Sequence, residues 1–310
     1  MESINQIIPL QHKGISLSIK REDLLHPFIS GNKFRKLKYN LLQAHTEKHH
    51  ILLTFGGAFS NHISAVAAAG KEIGMQTIGI IRGEELSEKI ADNPTLQFAR
   101  DCGMQFEFVS REEYRNKSET SFLGNLEKKF GRFYLIPEGG TNEAAIKGCE
   151  EILTAEDADF DFICCPVGTG GTISGLINTA RPNQKILGFP ALKGDFLKEE
   201  ICKFARPRGE SRTGEFDPNW ELLHSYHFGG YGKIDAILID FINRFYEETG
   251  VLLDPIYTGK MVFGVIDLIE KGYFPEGARI LAIHTGGLQG INGMNLHLKK
   301  KNLPLIQTHD

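Results

Sequence analysis

The sequence lacks what membrane, secreted and nucleic-acid-binding proteins need. No apolar run approaches the roughly 20 residues of a membrane span. The opening stretch, Met1 to Gly14, has neither the charged region nor the apolar region of a secretory leader, so a cytoplasmic location is expected. The 35 Lys and Arg residues do not outnumber the 39 Asp and Glu residues, which argues against a general nucleic-acid binder. Cysteine is sparse and odd in number, at Cys102, Cys149, Cys164, Cys165 and Cys202, with no C-x-x-C pair. That pattern reads as reduced thiols rather than a zinc framework or redox motif. The pairs His49/His50 and His224/His227 find no third ligand at usable spacing, so no metal is expected. What remains is the composition of an ordinary soluble enzyme, 41% hydrophobic and 24% charged, over 310 residues. That length suits two domains. Glycine is plentiful, at 34 residues, and its placement is informative.

Short apolar runs alternate with longer helical patterns. The expected strands are Ile51–Phe55, Thr77–Ile81, Gln105–Val109, Phe133–Ile136, Phe162–Val167, Lys185–Phe189 and Arg279–His284. Strands alternating with helices imply α/β architecture with parallel sheets, and their uniformly apolar character implies helices on both faces. Asn93, Pro94 and Gly103 punctuate a helix as cap, first-turn proline and terminal glycine. Four strand–helix units lie between Tyr39 and Lys147. They predict a small α/β domain over 39–147, inserted into a larger domain built from 1–38 and 148–310. The stretch Ala205–Asn219 reads as a surface loop.

Four segments carry candidate chemistry. In Ser30-Gly31-Asn32-Lys33, apolar residues from Phe34 onward fall at helical spacing, so a helix starts near Lys33. The helix dipole and any burial would lower the pKa of an amine there, which suits a nucleophile that forms a Schiff base. A lone lysine is more often part of a solvated helix face, and that is the reading for Lys36 and Lys38. Phe55-Gly56-Gly57-Ala58-Phe59-Ser60-Asn61-His62 joins a strand to a helix and could receive an anion. Taken alone it reads rather as a simple N-cap. Pro166-Val167-Gly168-Thr169-Gly170-Gly171-Thr172 also joins a strand to a helix, and its N–H groups and hydroxyls suit a phosphate. Ile173 stands where a dinucleotide fingerprint needs its third glycine, and no G-K-[ST] follows, which disfavours a nicotinamide oxidoreductase and a P-loop. The fourth segment comprises Asp254-Pro255-Ile256-Tyr257-Thr258-Gly259-Lys260 and His284-Thr285-Gly286-Gly287. Glu138 to Asn142 is a further strand-to-helix turn at a possible cleft.

Together the motifs KRED, SGNKFRKL, GGAFSNH, PVGTGGTISG, DPIYTGKM and HTGG, in this order, resemble the 1-aminocyclopropane-1-carboxylate deaminase / D-cysteine desulfhydrase family. The likeness runs from Ile19 almost to the C-terminus. It implies a pyridoxal 5′-phosphate (PLP) enzyme of the tryptophan-synthase-β-like fold, type II, with two domains, a small amino-acid substrate and a homodimeric assembly. By the same resemblance Lys33 is the Schiff-base lysine, Ser60 the residue for the substrate carboxylate, and Asn61 the partner of the cofactor's ring hydroxyl. Gly168, Thr169, Gly170, Gly171 and Thr172 form the phosphate loop, and Tyr257 is the active-site tyrosine. His62 stands at the substrate where the family usually has glutamine. Thr258 and Thr285 belong near the pyridine nitrogen, and both look like the desulfhydrase branch, since the deaminase branch has Tyr-Glu and His-Leu-Gly-Gly there. The expected reaction is β-elimination from D-cysteine to pyruvate, ammonia and hydrogen sulfide. The alternatives are ring-opening deamination of the cyclopropane amino acid and a non-catalytic PLP-binding protein.

Overall fold

Alternate apolar side chains within each strand face opposite sides of a sheet, and this chain fills both sides. The computed structural model describes residues 3–10, 12, 14–206 and 219–308. It begins with β1 (Asn5–Ile8), β2 (Ser16–Lys20) and α1 (Asn32–Thr46). Next come β3 (Ile51–Gly56), α2 (Asn61–Ile73), β4 (Gln76–Arg82), α3 (Pro94–Asp101), β5 (Gln105–Val109), α4 (Arg111–Arg115), α5 (Thr120–Phe130) and β6 (Tyr134–Ile136). The remainder is α6 (Glu143–Cys149), β7 (Phe162–Val167), α7 (Gly171–Thr179), β8 (Lys185–Pro190), α8 (Phe196–Cys202), β9 (Trp220–Leu222), α9 (Ala236–Thr249), α10 (Thr258–Glu270), β10 (Arg279–Ile283) and α11 (Gly290–Lys300).

Two sheets result. A four-stranded sheet in the order β5-β4-β3-β6 is parallel throughout and comes wholly from the stretch between Ile51 and Ile136. A six-stranded sheet runs β1-β2-β10-β7-β8-β9, with only the β1–β2 pair antiparallel. On the small sheet Leu52 and Ile81 join one core cluster, while Leu53, Phe55 and Ile80 join another. On the large sheet Leu17, Cys164 and Ala282 pack into one cluster, and Ile163, Cys165 and Leu281 into another. The expected α/β class with helix-covered, mostly parallel sheets is therefore met. β1, β2 and β9 were not among the expected strands. The proposed domain boundaries fall inside α1 and α6. Of the expected surface loop, residues 207–218 lie outside the described residues. Among the described residues no helix is long and apolar enough to cross a membrane.

The KRED run is buried charge that anchors the start of α1. Lys20 and Asp157 pair at 2.8 Å, each side chain 1% exposed. Glu22 accepts two bonds from Arg35 of α1, at 2.8 and 2.9 Å. Further along, Leu37 and Ala44 of α1 enter the core of the small sheet. The helix is thus held by ion pairs near β2 and by apolar packing against the small sheet. At α3, Asn93 accepts from the N–H groups of Thr95 and Leu96, both at 3.0 Å, ahead of Pro94, as its sequence predicts.

Candidate active site

The carboxyl ends of parallel strands collect loops, and both sheets bring theirs to one cleft. The loops after β3, β6, β7 and β10 and the first turn of α1 surround a cavity of about 520 Å³. Lys33, Ser60, Asn61, His62, Gly168, Thr169, Gly170, Gly171, Thr172, Tyr257 and Thr285 all line it. Of the residues expected in the site, Thr258 alone does not.

Lys33 owes its position to Gly31. That residue has φ +62°, and a Cβ on it would overlap the carbonyl oxygen of Thr285. The Asn32 N–H donates to the same carbonyl at 3.2 Å, so the start of α1 abuts the loop after β10. Lys33 Nζ donates to Asn32 Oδ1 at 3.0 Å, and Asn32 Nδ2 donates to Thr172 Oγ1 at 2.8 Å. The residue is half-buried overall, with its amine enclosed. Burial first, and then the Lys36 ammonium, lower the amine from its ordinary 10.5 to about 7. A substantial share is therefore the free, nucleophilic base near neutral pH.

Lys36 corrects the sequence reading. It lies on no solvated face but is 2% exposed and lines the cavity. Its Nζ donates to Gly139 O at 3.0 Å and Thr141 Oγ1 at 3.2 Å, and burial lowers its pKa. Lys38 does keep the expected exposed role, paired with Glu151 at 2.7 Å. The Gly168–Thr172 loop lies beside Lys36. Gly170 caps α7 at φ +83°, and a Cβ on Gly171 would stand 3.0 Å from Lys36 Nζ. The first N–H groups of a helix have no intrahelical acceptors. A buried ammonium beside such N–H groups, with no carboxylate on it among the described residues, calls for an anion.

Ser60 caps α2, its Oγ accepting from the N–H groups of His62 and Ile63 at 3.2 and 3.3 Å. The His62 ring is 2% exposed. Thr54 Oγ1 gives its proton to Ile136 O at 2.8 Å, so at 2.9 Å it accepts from His62 Nε2. Nδ1 has no hydrogen bond of good geometry among the described residues, and the backbone of Pro137 is the polar group interacting with the ring. Burial, with Lys33 and Lys36 nearby, keeps the imidazole neutral, well below its usual pKa.

Tyr257 faces Tyr231 edge to face, 6.1 Å between ring centres. Burial, then Tyr231 and Asp254, hold the Tyr257 hydroxyl well above the usual phenol range, so it stays a proton donor. Thr285 is 7% exposed at the cavity wall. Thr258, expected beside the cofactor ring, is fully buried, and its hydroxyl donates to Asp254 Oδ1 at 2.7 Å. Asp254 also accepts the N–H groups of Ile256, Tyr257 and Thr258, so Thr258 secures the start of α10 behind the wall. The sequence reading missed Lys36, Tyr231 and Arg82, all of which line the cavity. Tyr231 had a signal in its setting, Gly229-Gly230-Tyr231-Gly232. The turn from Glu138 reaches the cavity through Glu138 and Gly139, as anticipated.

Residues 5–286 match the family described as pyridoxal-phosphate dependent enzyme. The chain belongs to this family. Among its relatives, a bifunctional D-cysteine desulfhydrase/1-aminocyclopropane-1-carboxylate deaminase, mitochondrial, of Arabidopsis thaliana is 31% identical over 320 residues. The match covers 92% of this chain and 75% of the relative. A 1-aminocyclopropane-1-carboxylate deaminase of Bradyrhizobium is 27% identical over 311 residues, covering 90% and 88%. The crystal structure of an ACC deaminase homologue superimposes with TM-score 0.79 at 28% identity, covering 97% of this chain and 93% of the other. The fold is thus the type II fold of PLP enzymes, and the cofactor is PLP. The cavity fits that group: a lysine with a lowered pKa, a glycine loop at a helix start, and a second buried lysine, Lys36, beside that loop.

Proposed function

We propose that the protein is a β-elimination lyase acting on D-cysteine, releasing hydrogen sulfide, pyruvate and ammonia. In this reading Lys33 carries PLP, Gly168–Thr172 and Lys36 hold its phosphate, Asn61 meets its ring hydroxyl and Thr285 its ring nitrogen. The two sheets with their helices act as two domains around it. When bound, PLP supplies an electron sink that makes the substrate's Cα–H bond acidic. The chain's residues do the rest. The Ser60 hydroxyl and the N–H groups at the start of α2 take the substrate carboxylate. Once the substrate's own amine has taken its place, the freed Lys33 amine takes the Cα proton. The Cβ–S bond breaks with its electron pair on sulfur, which leaves as hydrosulfide, and Tyr257, still protonated, gives it a hydrogen bond. Aminoacrylate remains, and water converts it to pyruvate and ammonia. A homodimer, drawn from the family resemblance, and a cytoplasmic location, drawn from the pattern of cysteines, are part of the same reading.

The observation that carries the choice of reaction is that Thr285, a neutral residue, lines the cavity wall. The neighbouring carboxylate, Asp254, is engaged by backbone N–H groups and Thr258. A hydroxyl at the ring nitrogen leaves the ring unprotonated and a weaker sink than a carboxylate would. Eliminating a thiolate tolerates that, because the leaving group carries charge away. Opening a cyclopropane, with no α-proton and no such leaving group, needs the stronger sink. The ring-opening reading retains support in the names of the relatives and in the Tyr231–Tyr257 pair, which could serve an attack on the ring.

The test is a panel of D-cysteine, L-cysteine and 1-aminocyclopropane-1-carboxylate, with sulfide, pyruvate and 2-oxobutyrate measured. Sulfide and pyruvate from D-cysteine with little 2-oxobutyrate is expected; efficient 2-oxobutyrate production would replace this reading by the deaminase. Borohydride treatment of the holoenzyme should fix the cofactor on the peptide containing Lys33, and a label on Lys36 or Lys260 would overturn the assignment.

A further inference from the structure

One cation in the cavity wall has no task in the chemistry above. Arg82 ends β4, where the strand opens on the cleft, and lines the cavity together with Lys33, Ser60 and Tyr257. Its guanidinium lies 5.6 Å from the centre of the Tyr114 ring, a ring that also carries the Lys117 ammonium at 5.0 Å. Among the described residues the Arg82 side chain takes part in no hydrogen bond or ion pair, and the residue is exposed to solvent. Glu138, the acid in the same wall, is paired with Lys117 at 3.3 Å. The Arg82 Nη2 stands 3.7 Å from where a Cβ on Gly57 would lie, beside the loop that holds Ser60 and Asn61. Lys36 is suited to a phosphate and the Ser60 loop to a carboxylate, which leaves Arg82 as a planar, permanently charged fork at the solvent-exposed rim of the cavity, open to an anionic group on a ligand.

We propose that Arg82 recognises a second anionic group on the substrate side chain, so that amino acids bearing a β-sulfate, β-sulfonate or similar strong acid are a favoured class. The proposal rests on the β-elimination reading. For a serine O-sulfate, the Cα–H bond breaks with its proton going to Lys33, and the Cβ–O bond breaks with its pair leaving on sulfate. The guanidinium then faces the oxygen on which negative charge grows.

The test compares equilibrium binding of cysteate, which is alanine with a β-sulfonate, and alanine itself to the holoenzyme by calorimetry, using both hands of each. Cysteate should bind about tenfold tighter, equivalent to about 1.4 kcal/mol. Arg82→Met should bring the ratio close to one, and Arg82→Lys should fall between. Arg111→Met removes an exposed arginine paired with Glu85 at 2.7 Å, outside the cavity, and should keep the wild-type ratio. Equal binding of the two ligands by the wild type, binding of neither, or an unchanged ratio in Arg82→Met would overturn the proposal. Pyruvate from β-chloroalanine is followed in the same preparations. Its absence would overturn the elimination reading, while the cysteate ratio continues to report on Arg82.

Discussion

Replacing Lys33 by methionine should stabilise the cofactor-free protein at pH 6, and the gain should fade as the pH rises towards 10. The amine sits at about 7 in the folded chain against an ordinary 10.5, through burial first and the Lys36 ammonium second. Between those values the unfolded chain holds a proton that the folded chain releases, so stability rises with pH across that window. Below about 7 both states are protonated, and the folded state bears the full penalty of an enclosed ammonium. At ~1.4 kcal/mol per pH unit, a fall from 10.5 to about 7 corresponds to about 5 kcal/mol. Lys33 keeps some contact with solvent, which screens its charge, so about 2–4 kcal/mol is the expected gain. Methionine preserves the unbranched stem and helix propensity, and its neutrality also relieves Lys36. Urea unfolding of both cofactor-free proteins at pH 6, 7, 8, 9 and 10 gives the difference at each pH, in which titrations common to both cancel. A difference that stays constant over this range, or a wild type more stable than the variant at pH 6, would refute the reasoning.

Lys36→Met should weaken PLP binding about tenfold or more by absorbance titration, through loss of a charge-assisted bond; Lys38→Met, at an exposed pair, should leave it unchanged, and equal effects would count against the phosphate assignment. Gly31→Ala should lower stability by about 2 kcal/mol or more, because the residue has φ +62° and its new Cβ would meet the Thr285 carbonyl; an unchanged urea midpoint would contradict the close approach. Asp157→Ala should cost about 3–5 kcal/mol by stranding the Lys20 ammonium in the core. The double change Lys20→Met with Asp157→Leu should recover much of that loss, and additive losses in the double variant would argue that the pair is not the cause.

The strands that were legible in the sequence are those whose environment is uniform along their length. Ile51–Phe55 and Phe162–Val167 are apolar runs closed by glycine, and they became β3 and β7. β2 was hidden because its Ser-Leu-Ser-Ile-Lys run ends in a charge whose partner, Asp157, is 137 residues away. The site shows the same division. The glycine loops announce themselves locally, whereas Lys36 and Lys38 are chemically alike, and only the cleft distinguishes them. Spacing held part of that answer: Lys33, Lys36, Leu37 and Asn40 fall at three- and four-residue intervals on one face of a helix, and Lys38 does not. Thr258 was placed at the cofactor ring by the family resemblance, yet neighbouring residues at a helix start point about 100° apart. Tyr257 therefore lines the cavity while Thr258 turns back to Asp254.

The contact between Gly31 and Thr285 has a consequence for the chain as it is synthesised. β2 pairs with β1 on one edge and β10 on the other, so the strand that leads to the lysine helix gains its second neighbour only when residues 279–283 arrive. The small sheet needs nothing beyond residue 136 and can pair while the rest is still being made. At ~5–20 residues per second, roughly 8–30 s separate the emergence of that sheet's last strand from that of the Thr285 loop. During that interval the lysine helix lacks the wall against which Gly31 is fitted. The place for the cofactor is therefore completed late, by the last strand of the sheet to be synthesised.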